Sequence, residues 1–142
     1  TVLNAAQVDL AVDAGARFLV SPGYSADVVS RAAERGIAVI PGTVTPTEVI
    51  TALAAGLRLL KFFPAGNYGG TGTLKAFPSV YAEARFVPTG GVSPANLSQY
   101  LSLPNVPAVG GSWMVPADLV DAGDFAAIEQ LSVDAVAAAS GR

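Results

Sequence analysis

The feature that most constrains the fold is a repeat of short apolar segments, each closed by proline or glycine. Five segments begin 20, 21, 27 and 22 residues apart, at Arg17–Ser21, Ile37–Ile40, Arg58–Phe63, Arg85–Val87 and Pro107–Val109. Their apolar residues are consecutive and do not alternate with polar ones, which is typical of strands covered on both faces. The pattern therefore predicts five parallel strands in a buried sheet.

Stretches with helical character separate these segments, and two of them begin with recognisable capping residues. The stretches cover Val28–Arg35, Pro46–Gly56, Pro94–Leu103 and Asp124–Ala139, and a further helix is predicted over Ala5–Ala14 behind a capping Asn4. Thr45 and Glu48 are spaced as in a capping box, and Ser93 followed by Pro94 begins a later stretch similarly. Strands that alternate with helices in this way predict parallel βα units.

Two architectures accommodate such units, an open doubly wound sheet of five strands and part of a (β/α)8 barrel. The first residues, Thr1-Val2-Leu3-Asn4, read as the end of a strand, and the 142-residue chain lacks an initial Met. A complete barrel usually needs about 200 residues or more. We therefore expect residues 1–142 to be the C-terminal portion of a single α/β domain, a (β/α)8 TIM barrel. About the last five βα units would be present and about three upstream units absent.

Composition excludes several classes of function. The net charge is −3 and the eight basic residues are scattered, which argues against nucleic-acid binding. The sequence contains no Cys and no His, so disulfides, thiol chemistry, Cys/His zinc sites and Ser-His catalysis are excluded. No apolar run approaches the roughly 18 residues of a membrane span, and the first residues lack the pattern of a secretory signal. We expect a soluble, cytoplasmic protein with no membrane partner.

Lys61 is the residue with the strongest indication of chemistry. It is one of two lysines and lies within the apolar segment Leu59–Phe63, whereas Lys75 follows Gly72-Thr73-Leu74 at the start of a predicted helix. Alternation along a strand puts Lys61 and Phe63 on one face. Burial lowers the pKa of an amine and favours the neutral nucleophile that forms a Schiff base. The alternatives are a lysine that extends to the surface or one that pairs with a buried carboxylate.

Glycine-rich segments follow the last two predicted strands. Thr89-Gly90-Gly91 comes after the fourth strand and Gly110-Gly111-Ser112 after the fifth. Backbone N–H groups beside a helix N-terminus bind anions, and the last two strands of a barrel often hold phosphate. Tight turns would account for either loop alone, but two such loops on adjacent strands predict a phosphate site.

A general base is hard to find among the carboxylates. Glu48 has a sufficient role in its capping box. The others fall in predicted helices or the loops at their ends: Asp9, Asp13, Asp27, Glu34, Glu83, Asp118, Asp121, Asp124, Glu129 and Asp134. Barrel active sites lie at the C-terminal ends of the strands. We therefore expect any catalytic carboxylate to lie upstream of residue 1.

Six motifs together resemble the 2-keto-3-deoxy-6-phosphogluconate (KDPG) aldolase family. In chain order they are Thr1-Val2-Leu3-Asn4, Ser21-Pro22-Gly23, Ile40-Pro41-Gly42-Thr43, Lys61-Phe62-Phe63-Pro64-Ala65, Pro88-Thr89-Gly90-Gly91-Val92-Ser93-Pro94-Ala95-Asn96 and Gly110-Gly111-Ser112-Trp113-Met114-Val115-Pro116-Ala117-Asp118. The resemblance extends over the whole chain, and its long motifs make coincidence improbable.

The resemblance implies a homotrimeric (β/α)8 barrel of the Entner-Doudoroff pathway. Such enzymes reversibly cleave KDPG, a phosphorylated 2-oxo acid, to pyruvate and glyceraldehyde 3-phosphate, without a metal or cofactor, and often accept 4-hydroxy-2-oxoglutarate. Lys61 matches the imine-forming lysine, Thr1 a residue that holds the pyruvate carboxylate, and Phe63 an aromatic residue beside the pyruvyl carbons. The phosphate-end positions are matched by Thr89, Gly90, Gly91 and Ser112.

The sequence also departs from the family pattern. The general-base glutamate and the carboxylate-binding arginine of the family lie on an early strand that would precede Thr1, and the loop Gly66-Asn67-Tyr68-Gly69-Gly70 differs in its first residues. Two other functions therefore stay open. One is a catalytically incomplete barrel fragment or phosphate-ligand binding module, and the other is a sister aldolase for 4-hydroxy-2-oxoglutarate or the galactonate analogue. The phosphate loops argue against an unphosphorylated substrate.

Overall fold

A computed structural model describes residues 1–140, in which helices alternate with short strands. The α-helices are α1 (Ala5–Asp13), α2 (Ala26–Glu34), α3 (Pro46–Ala54), α4 (Gly70–Ala76), α5 (Leu97–Leu101), α6 (Ala117–Ala122) and α7 (Phe125–Ser140). The strands are β1 (Leu19–Val20), β2 (Val39–Ile40), β3 (Gly42–Thr43), β4 (Leu59–Phe62) and β5 (Arg85–Pro88), and 3₁₀ turns cover Ala65–Tyr68 and Phe77–Ser79. The predicted α/β alternation is confirmed.

All paired strands are parallel and follow one another in chain order. β1 pairs with β2, and β4 lies between β3 and β5, with Lys61 opposite both Gly42 and Val87. The Val2 N–H donates to the Val20 carbonyl at 2.9 Å, so the residues before α1 extend along β1. A doubly wound sheet reverses its strand order at one point, whereas a barrel does not. The prediction of part of a (β/α)8 barrel is confirmed.

The predicted cap residues of α1 and α3 make the expected hydrogen bonds. Asn4 Oδ1 accepts from the Gln7 N–H at 3.0 Å. In the capping box of α3, the Glu48 carboxylate accepts from the Thr45 N–H at 2.8 Å, and the Thr45 hydroxyl accepts from the Glu48 N–H at 3.4 Å. These bonds satisfy backbone donors that have no partner within the helix.

The helix predicted over Pro94–Leu103 is wrong at its start, because α5 begins only at Leu97. The Asn96 side chain explains the difference. Its Oδ1 accepts from the Ser93 N–H at 2.8 Å, and its Nδ2 donates to the Gly91 carbonyl at 2.9 Å. A short side-chain amide that bonds to the nearby backbone favours turns over helix.

The fifth strand predicted over Pro107–Val109 is also wrong. In its place a single bridge joins Thr89 to Gly110, whose N–H donates to the Pro88 carbonyl at 2.9 Å. Pro107 has no N–H to donate, which interrupts a ladder at the beginning of this segment. Proline has a similar effect at Pro41, which separates β2 from β3.

The outer face of the sheet forms the larger hydrophobic core. Leu60, Phe62 and Phe86 are completely buried there, and the Phe62 ring meets the rings of Phe77 and Phe86 edge to face at 6.1 and 6.4 Å. The expectation that both faces are covered is wrong in part, because Leu59 on the opposite face is 38% exposed. Within residues 1–140, no helix has both the length and the apolar character needed to cross a membrane.

Candidate functional site

A cavity of about 540 Å³ lies against the inner face of the sheet, and the structure brings the seven predicted site residues together around it. They are Thr1, Lys61, Phe63, Thr89, Gly90, Gly91 and Ser112. Val20, Ile40 and Val87 contribute apolar side chains from β1, β2 and β5. Side chains alternate between the faces of a strand. Val20, Ile40 and Val87 therefore face the cavity, and their neighbours along each strand face the core.

The Lys61 side chain lies in a largely apolar environment. The residue is only 9% exposed, and its Nζ lies 4.3 Å from the centroid of the Phe63 ring. Among residues 1–140, no carboxylate lies within ion-pair distance of Lys61. Removal from water disfavours the charged amine, so burial lowers the pKa of Lys61 below its ordinary value. Among residues 1–140, neither alternative left open by the sequence describes Lys61: its side chain does not extend to the surface, and it is not paired with a buried carboxylate.

The backbone around Lys61 is held on both sides. Its N–H donates to the Pro41 carbonyl at 2.8 Å, and its carbonyl accepts from the Thr43 hydroxyl at 3.5 Å. By contrast, Lys75 is exposed and lies in the last turn of α4. The prediction that it lies at the start of a helix is therefore wrong. The two lysines therefore differ in burial and in backbone support.

Phe63 separates the Lys61 amine from the first glycine loop. A Cβ placed on Gly90 would lie 3.3 Å from Phe63 Cε2 and 3.2 Å from Pro64 Cβ, and Gly90 has a φ of +85°. L-residues rarely adopt this conformation. Gly90 is therefore required both for the loop conformation and for the space that the Phe63 ring fills.

The two glycine loops lie side by side and offer several backbone donors. The Thr89 and Gly90 carbonyls accept from the Ala65 and Gly66 N–H groups at 2.8 and 2.9 Å, which fixes the first loop. Within the part of the chain that the structure describes, no residue accepts from the N–H groups of Gly90, Gly91, Gly111 or Ser112. Clustered backbone N–H groups of this kind can bind an anion.

The carboxylates lie away from the cavity, as the sequence predicts. Asp9 and Asp13 of α1 and Glu34 of α2 pair with Arg31 or Arg35. Glu83 accepts from Arg58 Nε at 2.8 Å. Hydrogen bonds from Arg31 are the main cause that lowers the pKa of Asp9. Of the described residues that line the cavity, none is an Asp or a Glu. The described part of the site therefore combines an amine and anion donors with no carboxylate base.

Sequence reasoning missed several residues of the cavity wall. Val20, Ile40 and Val87 were not singled out, although strand alternation in phase with Lys61 would have indicated Val87, its partner across the β4–β5 pair. Phe18 also lines the cavity. No local signal marks Phe18, because its position depends on which strands become neighbours.

Parallel βα units in barrel order, with a buried lysine facing a cavity of glycine loops, define the chain as a (β/α)8-barrel protein. The profile of the KDPG and KHG aldolase family matches residues 1–131. The chain belongs to this family.

Two relatives, one matched by its sequence and one by its solved structure, are similar to most of this chain. A 2-dehydro-3-deoxy-phosphogluconate aldolase of Treponema pallidum is 46% identical over 132 residues, which cover 93% of this chain and 63% of the relative. The structure of a Legionella pneumophila KDPG aldolase, with pyruvate captured as a covalent carbinolamine intermediate, superposes with a TM-score of 0.88 at 39% identity and covers 92% of this chain and 64% of that one.

A second solved structure extends the comparison. The Zymomonas mobilis 2-keto-3-deoxy-6-phosphogluconate aldolase with 3-phosphoglycerate superposes with a TM-score of 0.86 at 39% identity, covering this chain completely and 65% of that one. The chain therefore spans somewhat less than two thirds of the length of these relatives.

Proposed function

We propose that the protein is a class I aldolase that cleaves 2-keto-3-deoxy-6-phosphogluconate to pyruvate and glyceraldehyde 3-phosphate. The observation that carries this proposal is Lys61, a buried amine of lowered pKa without a carboxylate partner among residues 1–140, facing a cavity at the strand ends. A neutral amine in an apolar site is the nucleophile that Schiff-base catalysis requires. The pyruvate carbinolamine in the L. pneumophila relative supports this assignment.

The remaining cavity residues take roles at the two ends of the substrate. Thr1 would hold the pyruvate carboxylate, and Phe63 would pack against the pyruvyl carbons beside Lys61. Thr89, Gly90, Gly91 and Ser112 would bind the phosphate, for which the loops offer backbone N–H donors. The 3-phosphoglycerate in the Z. mobilis structure supports a phosphorylated ligand. The phosphate end also favours this substrate over unphosphorylated 4-hydroxy-2-oxoglutarate.

The chemistry follows from the amine. Lys61 Nζ adds to the 2-oxo carbon to form a carbinolamine, and loss of water gives a protonated imine. The imine accepts the electron pair of the C3–C4 bond as that bond breaks, while the C4 hydroxyl loses its proton and becomes the aldehyde. Protonation of the resulting enamine at C3 and hydrolysis of the imine release pyruvate and restore the amine.

Borohydride reduction in the presence of pyruvate tests the nucleophile. We expect mass spectrometry to find a reduced pyruvate adduct on the peptide that contains Lys61 and none on the peptide that contains Lys75, which serves as an internal control. The measurement is made on the 142-residue chain and on a chimaera that adds the unmatched part of the T. pallidum relative. Absence of the Lys61 adduct from both proteins would contradict the proposal.

A second candidate function, a non-catalytic phosphate-ligand binding module, is favoured by the lack of a carboxylate among the described cavity residues. Release of glyceraldehyde 3-phosphate from KDPG, followed with a coupled dehydrogenase, separates the two candidates. If the protein is an aldolase, at least the chimaera releases glyceraldehyde 3-phosphate. If it is a binding module, both the 142-residue chain and the chimaera bind phosphate, and neither releases glyceraldehyde 3-phosphate.

We further propose that the protein acts as a homotrimer in the cytoplasm, in the Entner-Doudoroff pathway. Family resemblance supports this proposal, together with exposed apolar side chains on α7, where Phe125, Val133 and Val136 are 67, 54 and 66% exposed. Sedimentation equilibrium of the chimaera tests the assembly. A monomeric mass across the micromolar range would contradict it.

A further inference from the structure

Trp113 packs directly against the second glycine loop. A Cβ placed on Gly111 would lie 1.7 Å from Trp113 Cζ3 and 2.2 Å from Cε3, so the ring occupies the space of a side chain at position 111. A glycine at this position therefore allows the indole to lie against the loop backbone. The two residues fit together as one unit at the edge of the cavity.

The other side of the indole ring faces the helices. Trp113 packs against the larger core and lines a groove of about 220 Å³ with Leu97 and Leu101 of α5 and Ala135 of α7. Leu131 of α7 and Trp113 line an adjoining pocket. The ring thus connects the loop to two helices that do not themselves line the cavity.

The opposite side of the loop is also occupied. A Cβ placed on Gly110 would lie 2.6 Å from Thr89 Oγ1, and the Gly110 N–H donates to the Pro88 carbonyl at 2.9 Å. Beyond Gly111, the Ser112 carbonyl accepts from the Val115 N–H at 3.1 Å. The loop is therefore enclosed between the Thr89 side chain and the Trp113 ring.

We propose that Trp113 is a positioning residue that holds the Gly111 and Ser112 N–H groups at the phosphate end of the cavity. The proposal rests on the proposed function, because it assumes that this end binds a phosphate group. Trp113 acts through the loop backbone and does not line the cavity itself. An anion site made of backbone donors depends on loop geometry, so loss of the ring weakens phosphate binding without touching the Lys61 amine.

Truncation of the ring tests this role in the full chain. We expect Trp113→Ala to raise the dissociation constant of inorganic phosphate, measured by calorimetry, by about tenfold, as expected when one or two hydrogen bonds to a charged group are lost. The rate of pyruvate trapping on Lys61 stays within about twofold of the unaltered chain, since separate sites act independently. Trp113→Phe keeps a flat ring on Gly111 and restores most of the phosphate affinity.

A matched control separates positioning from loss of stability. Phe77→Ala truncates another aromatic side chain of the same core, at a distance from the loop in the 3₁₀ turn after α4. It is expected to lower thermal stability and leave the phosphate dissociation constant unchanged. Since the protein contains one Trp, its fluorescence reports on the loop directly, and phosphate is expected to change the emission while pyruvate leaves it nearly unaltered.

Gly111→Ala probes the same contact from the other side and decides the case if Trp113→Ala does not fold. The added methyl must displace the ring, so we expect selective loss of phosphate affinity again. Unchanged phosphate affinity in Gly111→Ala or in a folded Trp113→Ala variant would overturn the inference alone. Absence of phosphate binding in the unaltered chain would overturn both this inference and the phosphate end of the proposed function. Failure of pyruvate trapping with phosphate binding intact would count only against the aldolase.

Discussion

The two faces of β4 differ in what their residues do, although the residues alternate along one strand. On the outer face, Leu60 and Phe62 are completely buried against core side chains. On the inner face, Lys61 lines a cavity together with Phe63, which directly follows the strand. Lys61 is buried there without an ion-pair partner among residues 1–140. The outer face supplies the stability that keeps a costly buried amine in place. Substitutions on the two faces should therefore separate stability from reactivity.

Removal of the amine should have the largest effect. We expect Lys61→Met to abolish the borohydride-trapped pyruvate adduct in the chimaera, because Lys61 supplies the one side-chain amine among the described residues that line the cavity. Lys75→Met, on the exposed side of α4, is the matched control and should retain the adduct. Thermal unfolding of Lys61→Met should stay close to that of the unaltered chain, since a buried unpaired amine is exchanged for an apolar side chain of similar length. An adduct that remains in Lys61→Met would contradict the assignment of Lys61 as the nucleophile.

Truncation on the outer face should act on stability instead. Phe62→Ala leaves a cavity where the ring meets Phe77 and Phe86, and such changes cost about 3–5 kcal/mol. Chemical denaturation with urea measures the change in the free energy of unfolding. The trapping rate per folded molecule should change little at low temperature. A loss of less than about 1 kcal/mol would mean that this face is not the main source of stability.

Gly90→Ala should have a moderate effect on both stability and the reactivity of Lys61. The new methyl meets Phe63 and Pro64 at 3.2 to 3.3 Å, at a φ of +85° that L-residues rarely adopt. We expect a loss of about 1–2 kcal/mol in stability and a slower trapping reaction, because the displaced Phe63 ring changes the surroundings of the amine. Gly72→Ala is a suitable control, since a Cβ there meets no atom within 4 Å. An unchanged trapping rate would show that the Phe63 position does not matter.

The smallest expected effect is on pH dependence. Burial lowers the pKa of Lys61 in the folded chain, so between that pKa and the ordinary lysine pKa the unfolded state binds more protons. Stability should therefore rise with pH through this window, and Lys61→Met should lack the rise. The trapping rate should reach half of its maximum at a pH below the ordinary lysine pKa. A midpoint at or above the ordinary value would contradict the assigned environment.

Local patterns were sufficient for much of the fold. The capping box at Thr45 and Glu48 and the Asn4 cap depend on residues within one turn, and both form as predicted. The apolar segment around Lys61 is a strand because its neighbours on both sides are apolar. The predictions for the segments at Pro94 and Pro107 were wrong for two local reasons. The Asn96 side chain bonds to the nearby backbone and favours a turn over a helix, and Pro107 has no N–H to donate to a strand ladder.

Composition and spacing were enough to predict the order of the parallel units and the residues that could carry chemistry, above all Lys61 between apolar neighbours. Those properties are local, since they depend on composition and spacing along a few residues. The three-dimensional packing was needed to show that Thr1, Lys61 and Ser112 share one cavity and that the Trp113 ring lies against Gly111 of the second glycine loop. Thr1, Lys61 and Ser112 lie more than fifty positions apart from one another along the chain, and packing between strands and helices, not the pattern within either, brings them together.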